Sequence, residues 1–132
     1  MEGMIRWQWF SITLVLLGLQ QFDLISISAV VGQSDDPFIY GLCNVNKYSN
    51  GSEYESDVST VLQYLVNSSA PGGGFAKYSY GQVYGLLQCR GDVSPQECQN
   101  CSVTASQLAY QYCPNAIGAR IQLDFCFIRY EN

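Results

Sequence analysis

CRGDVSPQECQNC, at residues 89–101, combines a helix start with three of the six cysteines of the chain. Its segment SPQE at 94–97 is a capping box with proline at the first helical position, which predicts that a helix begins there. Cys98 and Cys101 then lie one turn apart on one face of the helix, where each can reach a different neighbour. Cys89 lies just before the helix, close to one of them. This stretch therefore predicts a helix whose cysteines can bond to cysteines in other parts of the chain.

The cysteines are predicted to form a disulfide framework, because an even number in a short exported domain is typical of one. A zinc site is not predicted, although Cys98 and Cys101 have finger-like spacing, because the other four cysteines are isolated from one another. A redox motif would follow a strand in a βαβ unit, and no such unit is visible. Six cysteines allow fifteen pairings, and spacing leaves them open. The cysteines are Cys43, Cys89, Cys98, Cys101, Cys113 and Cys126.

Residues 8–19 read QWFSITLVLLGL, an apolar run behind Arg6. The run has about a dozen residues, fewer than the roughly 20 that a membrane-spanning helix needs, and its length fits the core of a signal peptide. We therefore predict a signal peptide over residues 1–32 and a single cysteine-rich domain over 33–132, with no membrane span after the signal is removed. An uncleaved anchor is the alternative, and N-terminal sequencing of the exported protein would detect it.

The predicted domain is acidic, since from residue 33 onward it has five Lys or Arg and nine Asp or Glu residues, a net charge of −4. Nucleic acid requires a basic stripe and anionic membranes attract cations, so neither is a predicted partner. The chain has no histidine, which removes the usual general base near neutral pH and the commonest metal ligand. No Ser/His/Asp set and no prominent pair of carboxylates is present. We predict no enzymatic activity, no cofactor and no metal.

Hydrophobic periodicity predicts an α+β domain with the element order β-α-β-β-α-β-β. SEYE at 52–55 is a second capping box, and apolar residues then recur at helical spacing up to Val66. SSAPGGG at 68–74 ends this helix, and Pro114 ends the next one. Helices packed on one face of an antiparallel sheet suit this order. The predicted elements are strands 38–43, 75–80 and 82–88, helices at 54–67 and from 95, and a closing hairpin over 118–131.

In the closing hairpin, a turn centred between Phe125 and Cys126 would place Arg120 directly opposite Glu131. Opposed residues on antiparallel strands face the same way, with Cβ atoms about 4.5 to 5.5 Å apart. A guanidinium group beside a carboxylate offers donors and acceptors to vicinal hydroxyl groups. The alternative is a cross-strand salt bridge, which contributes little at a surface.

Three Asn-x-Ser sequons begin at Asn50, Asn67 and Asn100. The first two lie in a predicted loop and at a helix end, where a glycan can attach. Asn100 lies within the second helix beside a cysteine. Asn50 and Asn67 are therefore the predicted N-glycosylation sites.

The pattern C-x8-C-x2-C at residues 89–101 resembles the signature of plant cysteine-rich secretory domains. NAIGARIQL at 115–123 and CFIRYE at 126–131 are similar to the tail of the ginkbilobin-type antifungal branch of that family. The resemblance covers residues 36–132. It implies two helices packed on one antiparallel sheet of about five strands. It also implies the disulfide pairings Cys43–Cys113, Cys89–Cys98 and Cys101–Cys126.

In the ginkbilobin-type branch, mannose is bound by an asparagine after the first cysteine, an arginine in a GAR segment and a glutamate ending the last strand. The matching residues here are Asn44, Arg120 and Glu131. The resemblance therefore implies a secreted, mannose-binding lectin-like defence protein of the apoplast, with antifungal activity through mannose-bearing fungal wall glycans. We expect a monomer. Asp124 and Phe125 at the hairpin tip depart from the pattern. The alternative is an extracellular protein-interaction or signalling module without sugar binding.

Overall fold

The computed structural model describes residues 36–132, so the predicted signal peptide over residues 1–32 lies outside the described residues. The described chain forms five strands and two helices in the predicted order. Neither helix in this part of the chain is long and apolar enough to cross a membrane. The elements are β1 (Phe38–Cys43), α1 (Glu53–Ser69), β2 (Phe75–Tyr80), β3 (Val83–Cys89), α2 (Pro95–Tyr112), β4 (Ala119–Leu123) and β5 (Cys126–Glu131).

Neighbouring strands of the sheet all run antiparallel, in the order β1-β4-β5-β3-β2. Both helices pack against one face, here called the inner face, and no helix within residues 36–132 covers the opposite, outer face. Buried residues therefore alternate with half-buried or exposed ones along β3, β4 and β5, since successive strand residues face opposite sides. The buried core includes Val58, Val61, Leu62, Leu65, Val83, Leu87, Ala105, Ile121, Leu123 and Ile128.

Serine side chains cap both helices, as predicted. Ser52 Oγ accepts the N–H of Glu55 at 3.3 Å, and Glu55 Oε2 accepts the N–H of Gly51 at 2.5 Å. In α2 the capping box is complete, because Ser94 Oγ accepts the N–H of Glu97 at 3.2 Å and Glu97 Oε2 accepts the N–H of Ser94 at 2.7 Å. The backbone hydrogen bond from Ser94 lowers the pKa of Glu97. These caps fix where each helix begins and hence which face it turns to the sheet.

The three disulfide pairings implied by the family resemblance are present and use all six cysteines. Each one joins α2, or the residue directly after it, to a different strand. The pairs are Cys89–Cys98 from the end of β3, Cys101–Cys126 from the start of β5 and Cys43–Cys113 from the end of β1. They fasten α2 to the inner face of the sheet.

The register of the closing hairpin differs from the predicted one. Glu131 was expected opposite Arg120, and this prediction is wrong, because Arg120 pairs with Arg129. The turn is centred one residue earlier than predicted, between Asp124 and Phe125, which displaces every predicted pair by two residues. A displacement by two keeps each side chain on its face, since the side-chain period of a strand is two. Arg120 and Glu131 therefore share the outer face without being directly opposite.

The segment before β1 explains where the turn lies. Asp124 N–H donates to Pro37 O at 3.1 Å, and Phe125 N–H donates to Asp36 Oδ1 at 3.0 Å. Cys126 then begins β5 with its side chain directed to α2, as its disulfide requires. Burial raises the pKa of the Asp36 carboxyl group. The hydrogen bonds to Asp36 and Pro37 and the disulfide of Cys126 thus fix the position of the turn, and this sets the register of the hairpin.

Candidate functional site

Asn44, Arg120 and Glu131 come from three distant parts of the sequence and line one cleft, here called the Arg120 cleft. Its volume is about 210 Å³. The strand order places the end of β1, the start of β4 and the end of β5 side by side, so the topology itself assembles these residues. The cleft is also lined by Leu42, Cys43, Gly118, Ala119 and Tyr130.

Asn44 continues the pairing of β1 with β4 by one residue, because its N–H donates to Gly118 O at 2.8 Å. The disulfide of Cys43 holds the same end of β1 against the residue after α2. Asn44 Oδ1 accepts the N–H of Asn46 at 3.0 Å, a local turn that fixes the side-chain amide. The Nδ2 group makes no hydrogen bond to a described residue and stays available as a donor.

The charged groups of the cleft are close together without being hydrogen-bonded. Arg120 Nη2 lies 3.9 Å from Glu131 Oε2, and Arg129 Nη1 lies 3.7 Å from Oε1 of the same carboxylate. Charge-assisted hydrogen bonds are about 2.7 to 2.9 Å long, so both separations are too wide. The Arg120 and Glu131 side chains are 49% and 40% exposed. Their donors and acceptors attract one another but are still free to bind hydroxyl groups.

Arg129 is a member of this site that the sequence analysis missed. It lies opposite Arg120 and two residues before Glu131, so its side chain faces the same side of the sheet. Its guanidinium carbon is 5.8 Å from the centre of the Tyr84 ring, and its Nε is buried without a hydrogen-bond partner among the described residues. The two-residue alternation along β5 was the signal that could have found it. Two arginines therefore share one carboxylate, and the site has a local excess of positive charge.

Two tyrosine hydroxyl groups hold the loop that leads into the cleft. Tyr130 OH donates to Ala116 O at 2.8 Å, and Tyr54 OH donates to Ile117 O at 2.5 Å. Burial raises the pKa of both hydroxyl groups, so each remains protonated and continues to donate at neutral pH. These hydrogen bonds anchor the backbone immediately before the cleft.

Gly118 leaves the floor of the cleft open between two of the predicted site residues. A Cβ atom at this position would lie 3.4 Å from Glu131 Cβ and 3.6 Å from Asn44 Cβ. It would also approach Tyr130 O to 3.2 Å. A side chain here would fill the space between the carboxylate and the amide, so the absence of one keeps both accessible.

The predicted glycosylation sites are not among the residues that line this cleft. Asn50 and Asn67 are both exposed. Asn50 Oδ1 accepts a hydrogen bond from Asn115 Nδ2, whereas Asn100 Oδ1 accepts one from Gln96 Nε2 at 2.9 Å. Glycosylation at Asn50 and Asn67 stays a prediction.

Within residues 36–132, the acidic and cysteine side chains close enough to share a metal ion are Asp36, Cys101 and Cys126. The two sulfur atoms are bonded to each other, so they are not thiolate ligands, and a single carboxylate remains. The absence of a metal or cofactor stays a prediction.

Comparison with known proteins places this site within a matched region. The sequence profile of the family described as "Salt stress response/antifungal" matches residues 42–132. In Arabidopsis thaliana, Plasmodesmata-located protein 6 is 37% identical over 74% of this chain and 36% of its own length. Cysteine-rich repeat secretory protein 55 is 39% identical over 70% of this chain and 38% of its own length. The chain thus spans little more than a third of these curated relatives.

Solved structures of Arabidopsis thaliana ectodomains have the same fold. The tandem DUF26 ectodomain of the cysteine-rich receptor-like protein PDLP8 has a TM-score of 0.68 and 37% sequence identity, over 71% of this chain and 48% of that one. The corresponding ectodomain of PDLP5 has a TM-score of 0.66 and 30% identity, over 72% of this chain and 50% of that one. These matches confirm the predicted fold. Relatives named as secretory proteins and ectodomains confirm the predicted extracellular location.

Proposed function

The chain belongs to the salt stress response/antifungal family, and on that premise we propose that it is a secreted defence protein that binds mannose-bearing glycans of fungal walls. Asn44, Arg120 and Glu131 bind the sugar, and attachment to the wall inhibits the fungus. The protein acts as a monomer in the apoplast. The observation that carries the proposal is the convergence of an amide, a guanidinium group and a carboxylate with unused hydrogen-bonding capacity in one cleft.

Each polar group of the cleft suits a different part of a sugar. The Glu131 carboxylate can accept hydrogen bonds from two adjacent hydroxyl groups, while the Arg120 guanidinium donates to their oxygen atoms and Asn44 Nδ2 adds a further donor. The cleft volume of about 210 Å³ lies below the roughly 300 to 1,000 Å³ of drug-sized pockets, and it suits one sugar ring. The site is therefore matched to a terminal or single mannose unit.

A single mannose should bind weakly. Each hydrogen bond to the sugar replaces hydrogen bonds to water, so its net contribution is only about 0.5 to 1.5 kcal/mol for neutral groups and somewhat more for charged ones. Association also costs translational and rotational freedom. We expect a Kd on the order of 1 mM, which corresponds to about −4 kcal/mol.

The test is a mannose titration of the secreted protein followed by two-dimensional ¹H–¹⁵N NMR. Saturable shifts are expected at Asn44, Gly118, Arg120 and Glu131. Arg120→Ala and Glu131→Gln should each remove saturation. Lys77→Ala is the matched control, because Lys77 is a cation of β2 in the same cross-strand row as Arg120 but three strands away.

Three outcomes would count against the proposal: no saturable shift, equal binding by the Arg120→Ala variant, or loss of binding in the Lys77→Ala control. A growth-inhibition assay on a fungus with a mannose-rich wall then tests the second half of the proposal. The Arg120→Ala protein should lose inhibition in parallel with sugar binding. Full inhibition by a variant that cannot bind mannose would separate the two activities.

An extracellular protein-interaction module is the second candidate, and it is favoured by apolar side chains exposed along β1. Ile39, Tyr40 and Leu42 are 55%, 43% and 57% exposed. Aromatic side chains are enriched in protein interfaces. Co-purification of one plant extracellular protein, abolished by Leu42→Asp and unaffected by Arg120→Ala, would support this candidate over sugar binding.

A further inference from the structure

A second cleft lies at the opposite end of β4 and β5, beside the hairpin turn, and is here called the turn cleft. Its volume is about 320 Å³, larger than that of the Arg120 cleft. Two glutamine amides, one guanidinium group, one carboxylate and two aromatic rings contribute to it. These belong to Gln88, Gln122, Arg90, Asp124, Phe125 and Phe127.

The turn cleft lies on a row of outer-face residues that crosses all five strands. The strand register pairs Tyr40 with Gln122, Gln122 with Phe127, Phe127 with Gln88, and Gln88 with Phe75. Rings and amides therefore alternate across the sheet, and we call this set the aromatic–amide row. The rings at its two ends are 43% and 46% exposed, although large aromatic side chains are normally covered. The row carries no charge, so it suits an uncharged ligand.

The glutamine amides of the row have hydrogen-bonding groups to spare. Gln122 Nε2 donates to Leu123 O at 2.7 Å and to Cys126 O at 3.4 Å, which leaves its Oε1 as an acceptor. The Gln88 amide makes no hydrogen bond to a described residue. The faces of aromatic rings are negative, and the C–H groups on one side of a pyranose ring are weakly positive. A ring set between two amides thus matches a sugar, which has an apolar face and polar edges.

An ion pair at the tip of the turn closes one side of this cleft. Arg90 Nη1 lies 3.0 Å from Asp124 Oδ2, Arg90 Nε lies 2.6 Å from Asp92 Oδ1, and the guanidinium carbon is 4.9 Å from the centre of the Phe125 ring. The arginine is therefore hydrogen-bonded to two carboxylates and held over an aromatic ring. This contrasts with the Arg120 cleft, where charges are left without hydrogen bonds.

The two clefts lie at opposite ends of β4 and β5 and both include side chains of the outer face. Gln122 lies about 7 Å along β4 from Arg120, and Phe127 lies about 13 Å along β5 from Glu131. One monosaccharide cannot reach both ends of that distance. Between the ends lies Arg129, whose Nε has no hydrogen-bond partner, so its guanidinium can turn towards a ligand without breaking a bond at that atom.

We infer that the outer face binds an uncharged mannose oligosaccharide, with one unit in the Arg120 cleft and later units stacked along the aromatic–amide row to the turn cleft. This inference rests on the proposed function, because the Arg120 cleft supplies the first contact. It specifies that the ligand has several sugar units and names the residues that bind the units beyond the first. Phe127 is the platform on which a later unit stacks, while Gln88 and Gln122 bind its hydroxyl groups.

The experiment compares mannose with a linear mannotetraose by NMR titration of the secreted protein. The tetrasaccharide should bind at least tenfold more tightly and should shift the side-chain amide signals of Gln88 and Gln122. Gln88→Ala and Phe127→Ala should each lower the tetrasaccharide affinity towards that of mannose and leave mannose binding unchanged. Gln107→Ala, which removes an exposed amide from α2 in the helix layer, is the matched control and should change neither affinity.

The outcomes separate this inference from the proposed function. If mannose binds and the tetrasaccharide binds with no higher affinity, the inference is overturned and the proposed function is not. If both Gln88→Ala and Phe127→Ala keep the higher affinity for the tetrasaccharide, the inference is also overturned, because the oligosaccharide would then bind along a different part of the surface. Failure of both sugars to bind would overturn the proposed function and the inference with it. Since Phe127 is half-buried, Gln88→Ala keeps the test decisive if the Phe127→Ala protein does not fold.

Discussion

The inner and outer faces of the sheet are built from alternate residues of the same strands, yet the helices cover the inner face and no described helix covers the outer face. On β4 and β5 the inner side chains are at most 3% exposed, and they belong to Ala119, Ile121, Leu123, Cys126, Ile128 and Tyr130. The outer side chains are only half-buried or exposed, and they belong to Arg120, Gln122, Phe127, Arg129 and Glu131. The inner face makes the contacts that hold the domain together. The outer face retains polar groups without full partners, which is what a ligand requires.

This difference separates stability from binding at the level of single residues. A substitution on the inner face leaves a cavity beneath the helices, whereas one on the outer face removes a group that already meets water. Stability and ligand affinity should therefore respond to different sets of substitutions.

Reduction of the disulfides should be the most damaging change, because it releases α2 from three strands of the sheet. Each bond contributes about 2 to 4 kcal/mol, whereas a domain of this size retains about 5 to 15 kcal/mol in total. We expect the reduced and thiol-blocked protein to lose its cooperative unfolding transition in circular dichroism. An unchanged melting temperature would mean that burial alone holds α2 on the inner face and that the disulfides are not needed for stability.

Neighbouring leucines of β3 offer a matched comparison of the two faces. Leu87 is completely buried beneath the helices, whereas Leu86 is half-buried on the outer face. Leu87→Ala should lower the free energy of unfolding by about 2 to 5 kcal/mol, and Leu86→Ala by less than about 1 kcal/mol. Urea denaturation of both variants measures the difference. Equal losses would indicate that the outer face is a second core.

The two faces could be predicted from the sequence more securely than the register. Alternation along residues 118–131 identifies which side chains share a face, and this is why Arg120 and Glu131 were correctly placed together. The predicted pairing failed because the hydrogen bonds to Asp36 and Pro37 fix the turn, and those residues lie more than eighty positions away. A displacement by two residues leaves every face unchanged, so pattern alone does not reveal it.

Other features depend on which strands are neighbours, and no local pattern contains that information. The aromatic–amide row exists because β5 lies between β4 and β3, which separates Phe127 from Gln88 by one strand spacing although the residues are distant in sequence. The disulfide pairing was likewise open from spacing and followed only from the family resemblance. Arg129 is different, since its alternation with Glu131 was visible in the sequence.

Removal of one hydroxyl group from the inner face should lower the free energy of unfolding by less than the Leu87→Ala substitution does. Tyr130→Phe leaves Ala116 O without its donor, and we expect a loss of about 1 kcal/mol at neutral pH. Tyr84→Phe removes a hydroxyl group from the outer face and is the control. Burial raises the pKa of Tyr130, whereas an unfolded chain releases this proton near pH 10.

The raised pKa of Tyr130 determines whether stability rises or falls at alkaline pH. Above about pH 10 the unfolded state has fewer bound protons than the folded state, so the free energy of unfolding falls as the pH rises. The Tyr130→Phe protein should show a shallower fall, because one of the protons retained by the folded state is gone. Denaturant titrations between pH 8 and 11 measure both slopes, as an approximate range around the tyrosine pKa. Identical slopes would mean that the Tyr130 hydroxyl is not buried in solution.

Replacement of Glu131 by Gln should have the smallest effect on stability, although the residue lies at the centre of the proposed site. Its carboxylate is 3.7 Å from Arg129 and 3.9 Å from Arg120, too far for hydrogen bonds, and such exposed ion pairs contribute about 0 to 1 kcal/mol. Urea denaturation should therefore show little change, while saturable binding of mannose is lost. A large loss of stability would mean that Glu131 is held by the fold rather than left free for a ligand. The two faces of the sheet would then not divide stability from binding, because an outer-face carboxylate would be part of what keeps the domain folded.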